Sequence, residues 1–167
     1  WTFEQTLNGS NLALDGDDLG VSVAAEQDVV VVGAPNYRPE TNVGGRAFVY
    51  RYNGTRWNEE QVLQNPTPSA GDGFSSELEI RGNKIMVSEH LNESTIIFMY
   101  NGTAWNAEQR IFADGNRINS IGLDSQRAFI ASNNEHVLAY QYENSYWTEA
   151  QSILPFSGAA GDQLGKA

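Results

Sequence analysis

The sequence predicts an all-β fold, and three observations carry that expectation. First, one phrase occurs four times: a Trp, a Gln four residues later, and an aliphatic residue two further on. The copies are Trp1-Gln5-Leu7, Trp57-Gln61-Leu63, Trp105-Gln109-Ile111 and Trp147-Gln151-Ile153. They contain every Trp in the chain and follow one another at spacings of 56, 48 and 42 residues, with Tyr52, Tyr100 and Tyr142 five residues before the last three. Self-similarity at such a period marks a repeat architecture. Second, the composition of 16 Gly and 11% aromatic residues suits short strands joined by tight turns better than a helical bundle. Third, each repeat holds four runs of strand length. Four antiparallel strands per unit of 40 to 56 residues are the blades of a β-propeller. A parallel β-helix has shorter coils and lacks the Asn-Gly hairpins found here.

Taken in order, Trp1 to Leu7 alternates, with Trp1, Phe3, Gln5 and Leu7 on one side, and Asn8-Gly9-Ser10 turns the chain. Residues 1–14 are expected to be the last strand of a preceding blade and a linker. Blade 1, residues 15–63, opens with the acidic turn Asp15-Gly16-Asp17-Asp18, followed by strands over 19–25, 28–33, 46–52 and 57–63. The valine run Val29–Val32 is β-branched and continuous, as for a strand covered on both faces, and Pro35 ends it. Asn53-Gly54 predicts a type I′ hairpin, which needs positive φ at both central residues. Blade 2, residues 64–111, repeats the layout through Glu77–Ile80, Lys84–Val87 and Thr95–Tyr100, reusing Asn101-Gly102 before Trp105. Blade 3, residues 112–153, fills its strands with Ile121–Leu123, Arg127–Ile130 and Val137–Tyr142 and turns at Glu143-Asn144. Residues 154–167 start a further blade at Gly161-Asp162-Gln163-Leu164-Gly165. Three blades with partial strands at both ends imply either further blades or sheet supplied by a neighbouring chain, and the latter would build a head-to-tail filament when the rotation does not close. Beginning and stopping inside repeat phrases, the chain is expected to be a piece of something longer.

The charge excludes several function classes. With 21 acidic and 10 basic residues the net charge is −11, which repels nucleic acid and anionic membrane surfaces alike. The sign permits Ca²⁺ without showing it. No Cys is present, so disulfides and thiolate metal sites are absent. The longest apolar run, Val29–Val32, is far too short to cross a bilayer as a helix.

Asp17-Asp18-Leu19-Gly20, Val29 to Pro35 and Gly45 to Tyr50 resemble an FG-GAP repeat, named for a Phe-Gly pair and a Gly-Ala-Pro triplet. Leu19-Gly20 stands for the pair and Gly33-Ala34-Pro35 is intact; the second repeat has Phe74-Ser75 and, in place of the triplet, Ser88-Glu89-His90. The resemblance implies a propeller like that of integrin α heads, found in secreted and surface proteins. Some repeats of that family bind Ca²⁺ in a loop between the first two strands of a blade. The corresponding breaks here, Glu26-Gln27-Asp28, Arg81-Gly82-Asn83 and Asp124-Ser125-Gln126, are too short and too poor in oxygen donors for a cation that takes six to eight ligands.

Among chemistry-bearing residues, Asp15, Asp17 and Asp18 are the densest carboxylates, with Asp72 and Asp162 as counterparts in later repeats. They form either a Ca²⁺ site or, more simply, a turn whose oxygens accept backbone N–H groups. His90 and His136 lack partners at metal-ligand spacing and are expected on exposed loops. No nucleophile elbow, phosphate loop or zinc-protease motif occurs, so no catalytic residue is assigned. Asn8, Asn53, Asn92 and Asn101 lie in N-glycosylation sequons within turns or loops. The Trp residues serve either as a sugar-stacking platform or as packing between blades; recurrence at one blade position favours packing. The expected function is a non-enzymatic extracellular or cell-surface module, structural or adhesive, with protein partners or self-association. The alternatives are a glycan-binding lectin and the scaffold of a hydrolase.

Overall fold

The computed structural model describes residues 2–10, 16–37, 44–69, 71–113, 117–133 and 136–154. Among the described residues twelve strands form three four-stranded antiparallel sheets, and there is no helix. The first sheet runs β1 (Val23–Glu26), β2 (Val29–Ala34), β3 (Arg46–Tyr52) and β4 (Trp57–Gln64). The second comprises β5 (Phe74–Arg81), β6 (Lys84–Glu89), β7 (Ser94–Tyr100) and β8 (Trp105–Phe112). The third comprises β9 (Ile118–Leu123), β10 (Arg127–Ser132), β11 (Val137–Glu143) and β12 (Tyr146–Ile153). Every strand pairs with its sequence neighbour, so each sheet is an up-and-down meander, and the three are blades of a β-propeller.

Two apolar clusters hold the blades together. Between the first and second sheets lie Val31, Val49 and Leu63 from one side and Phe74, Leu78 and Trp105 from the other. Between the second and third lie Met86, Ile97 and Ile111 facing Ile121, Tyr140 and Trp147. A third cluster, with Phe48 and Tyr50 at its centre, covers the other face of the first sheet and takes in Leu7. Sheets packed face to face remove water from the alternate residues on both, which is the main favourable term in such a stack.

Four expectations need correction. Residues 2–9 carry no strand, because no partner strand stands beside them among the described residues. The first strand of blade 1 starts at Val23 and not at residue 19, since Gly20 has a φ of 93° and the chain bends through Ser22. The Asn-Gly hairpins are not type I′. Tyr52 pairs with Trp57 across four residues, only Gly54 has positive φ (92°), and the Asn53 side chain closes the loop by accepting the N–H groups of Thr55 and Arg56, both at 3.0 Å. Asn101 does the same for Thr103 and Ala104, at 2.9 Å each. The two-residue turn with positive φ at both positions is instead Asn144-Ser145 (53° and 65°), between the paired Glu143 and Tyr146.

The fourth correction matters most. Even spacing predicts Trp and Gln on one side of their strand, but the ladder slips between Val49 and Tyr50, between Ile97 and Phe98, and between Ala139 and Tyr140. In each case the residue just before the Gln (Glu60, Glu108 or Ala150) is an extra one with no partner on the neighbouring strand. A bulge reverses the alternation beyond it. Trp57 therefore shares a face with Tyr50 and Tyr52, while Gln61 and Leu63 share the opposite face with Val49 and Ala47. Each last strand thus points its Trp at the preceding sheet and its Gln and aliphatic residue at the following one.

Candidate functional site

The bulge gives each blade two unlike sides that fit each other, and the contact between them is built around one side-chain amide. Gln61 Nε2 donates to the Trp105 carbonyl at 2.7 Å, and the Trp105 N–H donates to Gln61 Oε1 at 2.8 Å. Gln109 repeats both bonds on Trp147 at 2.8 Å each. Gln5 repeats them on Trp57 at 3.0 Å each, although it belongs to no sheet. A primary amide carries a donor and an acceptor side by side, so it pairs with a backbone residue as another strand would. The first residue of a last strand is thereby relieved of two unpaired backbone groups at the edge of the junction.

Above each amide an aromatic pair fills the junction. Tyr52–Trp57, Tyr100–Trp105 and Tyr142–Trp147 lie 5.2, 5.0 and 5.0 Å apart between ring centroids, with tilts of 46°, 43° and 44°. The preceding sheet sets a cation over the Tyr. Arg51 lies 5.1 Å from the Tyr100 centroid and Lys84 lies 5.1 Å from that of Tyr142. Arg51 is aimed by Glu60, the bulge residue, whose carboxylate accepts from Nε at 3.0 Å and holds the guanidinium pKa above its ordinary value. Glu60 also accepts from the Trp105 indole N–H at 3.4 Å. Trp105 and Trp147 are buried and Trp57 is half-buried; Trp1 lies outside the described residues. Gln61 and Gln109 are half-buried, whereas Gln5 and Gln151 are exposed.

The Phe-Gly and Gly-Ala-Pro elements prove to be two halves of one contact. A Cβ at Gly33 would stand 2.3 Å from the Ser75 carbonyl oxygen, and one at Gly45 would stand 2.2 Å from that of Phe74. The first sheet needs glycine here because the turn opening the second sheet lies against its backbone. Ser75 occupies the position of Gly20 and keeps the positive φ, 73° against 93°. Its hydroxyl compensates by donating to the Arg46 carbonyl at 2.7 Å and accepting the Ala34 N–H at 3.1 Å. The sequence marks Ser75 only as a departure from the motif; its second role as a bolt between sheets is tertiary information.

A second polar cluster went unrecognised in the sequence. The buried Glu89 carboxylate accepts from Ser94 Oγ at 2.6 Å and from Asn65 Nδ2 at 2.5 Å, and pairs with Arg110 at 3.2 Å. Asn65 also donates to Asp72 at 2.8 Å, and Arg110 donates to the Asn65 and Thr67 oxygens at 2.7 and 2.8 Å. Glu89 stands where blade 1 has Ala34 of its triplet, so a buried acid replaces an apolar contact and is fully bonded, as burial of charge demands. The cluster pins the loop 65–72 to the second sheet. Its acids meet in no open cleft.

The remaining candidates are placed as follows. Asp72 accepts the N–H groups of Phe74 and Ser69 at 3.1 and 3.2 Å, the geometry of a turn. Asp18 accepts from Asn36 Nδ2 at 2.5 Å, Asp17 is buried, and Asp15 and Asp162 lie outside the described residues. Among the described residues no three His, Asp or Glu side chains converge as metal ligands. His90 is half-buried and not exposed as expected: its Nδ1 lies 2.5 Å from the Ile118 carbonyl and links the second sheet to the third. His136 is half-buried as well, beside Ser132. Asn8, Asn53 and Asn101 are exposed, whereas Asn92 is half-buried and donates to Ser69 and Glu89 at 3.1 and 3.4 Å.

Residues 1–50 match the family model described as an FG-GAP repeat. No curated protein matches the chain. Among solved structures, Sqt1 of Saccharomyces cerevisiae is similar with a TM-score of 0.64 at 10% identity, over 83% of this chain and 36% of that one. Sqt1 of Chaetomium thermophilum gives 0.63 at 12% identity over 85% and 37%, and BamB from Moraxella catarrhalis gives 0.56 at 12% identity over 83% and 37%. The chain spans little more than a third of the length of these structures, and at such identity the likeness concerns the fold. Three consecutive β-propeller blades, opened by a stretch that matches the FG-GAP repeat, are what this chain is.

Proposed function

We propose that the chain is a non-enzymatic, extracellular or cell-surface interaction module, structural or adhesive, that holds protein partners on loops carried by rigid blades. The observation that carries this reading is the Glu89–Asn65–Asp72–Arg110 network. It fixes the connection between the first two sheets as firmly as a core, while Pro66, Thr67 and Pro68 stay exposed on its outside. Leu91, whose N–H bonds the Asp72 carbonyl at 3.0 Å, and Phe112, paired to Ser94, are exposed at the same end of the second sheet. Rigid loops with exposed apolar residues on a stable frame are how repeat scaffolds bind other proteins. The fold and the FG-GAP match support the coarser part of the reading, a protein-interaction module. Against sugar stacking stands the burial of Trp105 and Trp147, whose rings are no platform for a ligand.

Immobilised wild-type chain is expected to retain surface proteins of its source, and the double variant Leu91→Asp/Phe112→Asp to lose that retention at an unchanged melting temperature. Selective retention on a glycan array, with no protein retained, would overturn the reading in favour of a lectin. The extracellular assignment rests on the exposed sequons at Asn8, Asn53 and Asn101. A mass decrease on glycosidase treatment of native material supports it, and an unmodified native mass removes that support.

A further inference from the structure

The side of a blade that faces its successor is left open on the third sheet, with every device of the closed junctions in place. Ile153 is 39% exposed, whereas its counterparts Leu63 and Ile111, covered by the next sheet, are 1% and 3% exposed. Gln151 stands where Gln61 and Gln109 bridge to the next Trp, and its amide has no hydrogen-bond partner among the described residues. Arg127 occupies the register position of Lys84, the residue that caps Tyr142, and is exposed. The first sheet is open in the opposite sense. Val23 is 59% exposed where its counterparts Leu78 and Ile121, each covered by the preceding sheet, are 7% and 8% exposed.

We propose that the open face of the third sheet docks on the first sheet of a second copy of this chain, head to tail, with Gln151 of one copy taking the Trp57 backbone of the other. The inference rests on the interaction-module reading and names the partner. It commits to a second copy because the two unmatched faces are the two halves of a junction that the chain already forms twice internally. Unlike faces joined in this way leave a free face of each kind on the product, so growth continues unless the rotation closes.

A competitor is already on Trp57. Gln5 makes both bonds to it, the Ser10 N–H donates to Glu59 at 2.7 Å, and Gly9 lies so close to Phe48 that an added Cβ would stand 2.8 Å from the ring. Residues 2–10 therefore occupy the place that an incoming last strand needs, and assembly requires their release. The net charge of −11 on each copy opposes contact, so added salt favours it.

Sedimentation velocity on the full chain, from micromolar to millimolar and at two ionic strengths, tests the proposal. Gln5→Ala is expected to move association to roughly tenfold lower concentration than wild type, the equivalent of about 1.4 kcal/mol. Adding Gln151→Ala or Ile153→Asp is expected to reverse that shift; both residues are exposed, so the monomer should keep its melting temperature. Should Gln5→Ala fail to fold, Gln5→Glu, which keeps an acceptor for the Trp57 N–H but no donor, carries the same test. A variant at Gln5 that stays monomeric throughout, or one that associates equally well with Gln151→Ala or Ile153→Asp, overturns the proposal. Monomers that still retain other proteins through Leu91 and Phe112 would sink the head-to-tail contact alone. Assembly without such retention would sink only the loop-docking reading.

Discussion

Glu79 shows how far one side chain departs from what its strand position requires. It is half-buried on β5, and burial first, then the neighbouring Glu77 charge, hold its carboxyl pKa above the ordinary value. A raised pKa means that the folded state binds the proton more tightly than the unfolded state. Stability at this site is therefore present below the unfolded pKa of about 4 and declines as pH rises through the folded value. Glu79→Gln should raise the melting temperature at pH 7 and bring little gain near pH 4; a variant no more stable than wild type at pH 7 would contradict the burial argument. Tyr50 is the second misfit. Its hydroxyl is buried without a hydrogen-bond partner, and burial, assisted by Glu59, pushes its pKa up to about 12. Tyr50→Phe removes an unsatisfied polar atom and should leave stability unchanged or raise it by about 1 kcal/mol in urea unfolding. A loss above about 2 kcal/mol would mean that the hydroxyl has a partner after all.

At the scale of the strand, the bulge decides what the repeated phrase means. Glu60, Glu108 and Ala150 are chemically unlike, yet each is the unpaired residue before its Gln. The shared feature is backbone geometry, which turns one strand into a two-sided connector. Its contribution can be measured within one molecule, because the same Gln occurs at closed and open junctions. Gln61→Ala strands the Trp105 N–H and carbonyl at a covered junction and should lower stability by about 1–3 kcal/mol. Gln151→Ala removes nothing from the monomer and should be neutral within about 0.5 kcal/mol. Equal losses at the two positions would show that the amide acts inside its own strand and not between sheets.

For the molecule as a whole, three blades stacked in a row make a short one-dimensional array in which each sheet depends on its neighbours. The second sheet is covered on both sides, the first has residues 2–10 over part of its outer side, and the third has nothing equivalent among the described residues. Stability should fall in that order. Amide hydrogen exchange is expected to be slowest in β6 and β7, and faster in β12 than in its counterparts β4 and β8. Assembly in the proposed sense would slow β12 selectively as concentration rises. Uniform protection across all three sheets would mean that they unfold as a single unit.

The sequence by itself determined the blade count, the strand content and the phase of the repeat, because periodic Trp, Tyr and Asn-Gly residues report local chain geometry directly. It also marked the residues that join the blades, though not their direction: Trp57 and Gln61 look like companions on one face until the ladder slips between them. Register across strands is set by pairing with distant residues, and a bulge leaves no compositional trace, so only the tertiary structure decided which side each residue serves. The same holds for Ser75, Asn65 and Glu89, whose partners lie between 7 and 45 positions away in the chain. Hydrogen bonds of that reach are made by folding, and a short sequence window cannot contain both ends.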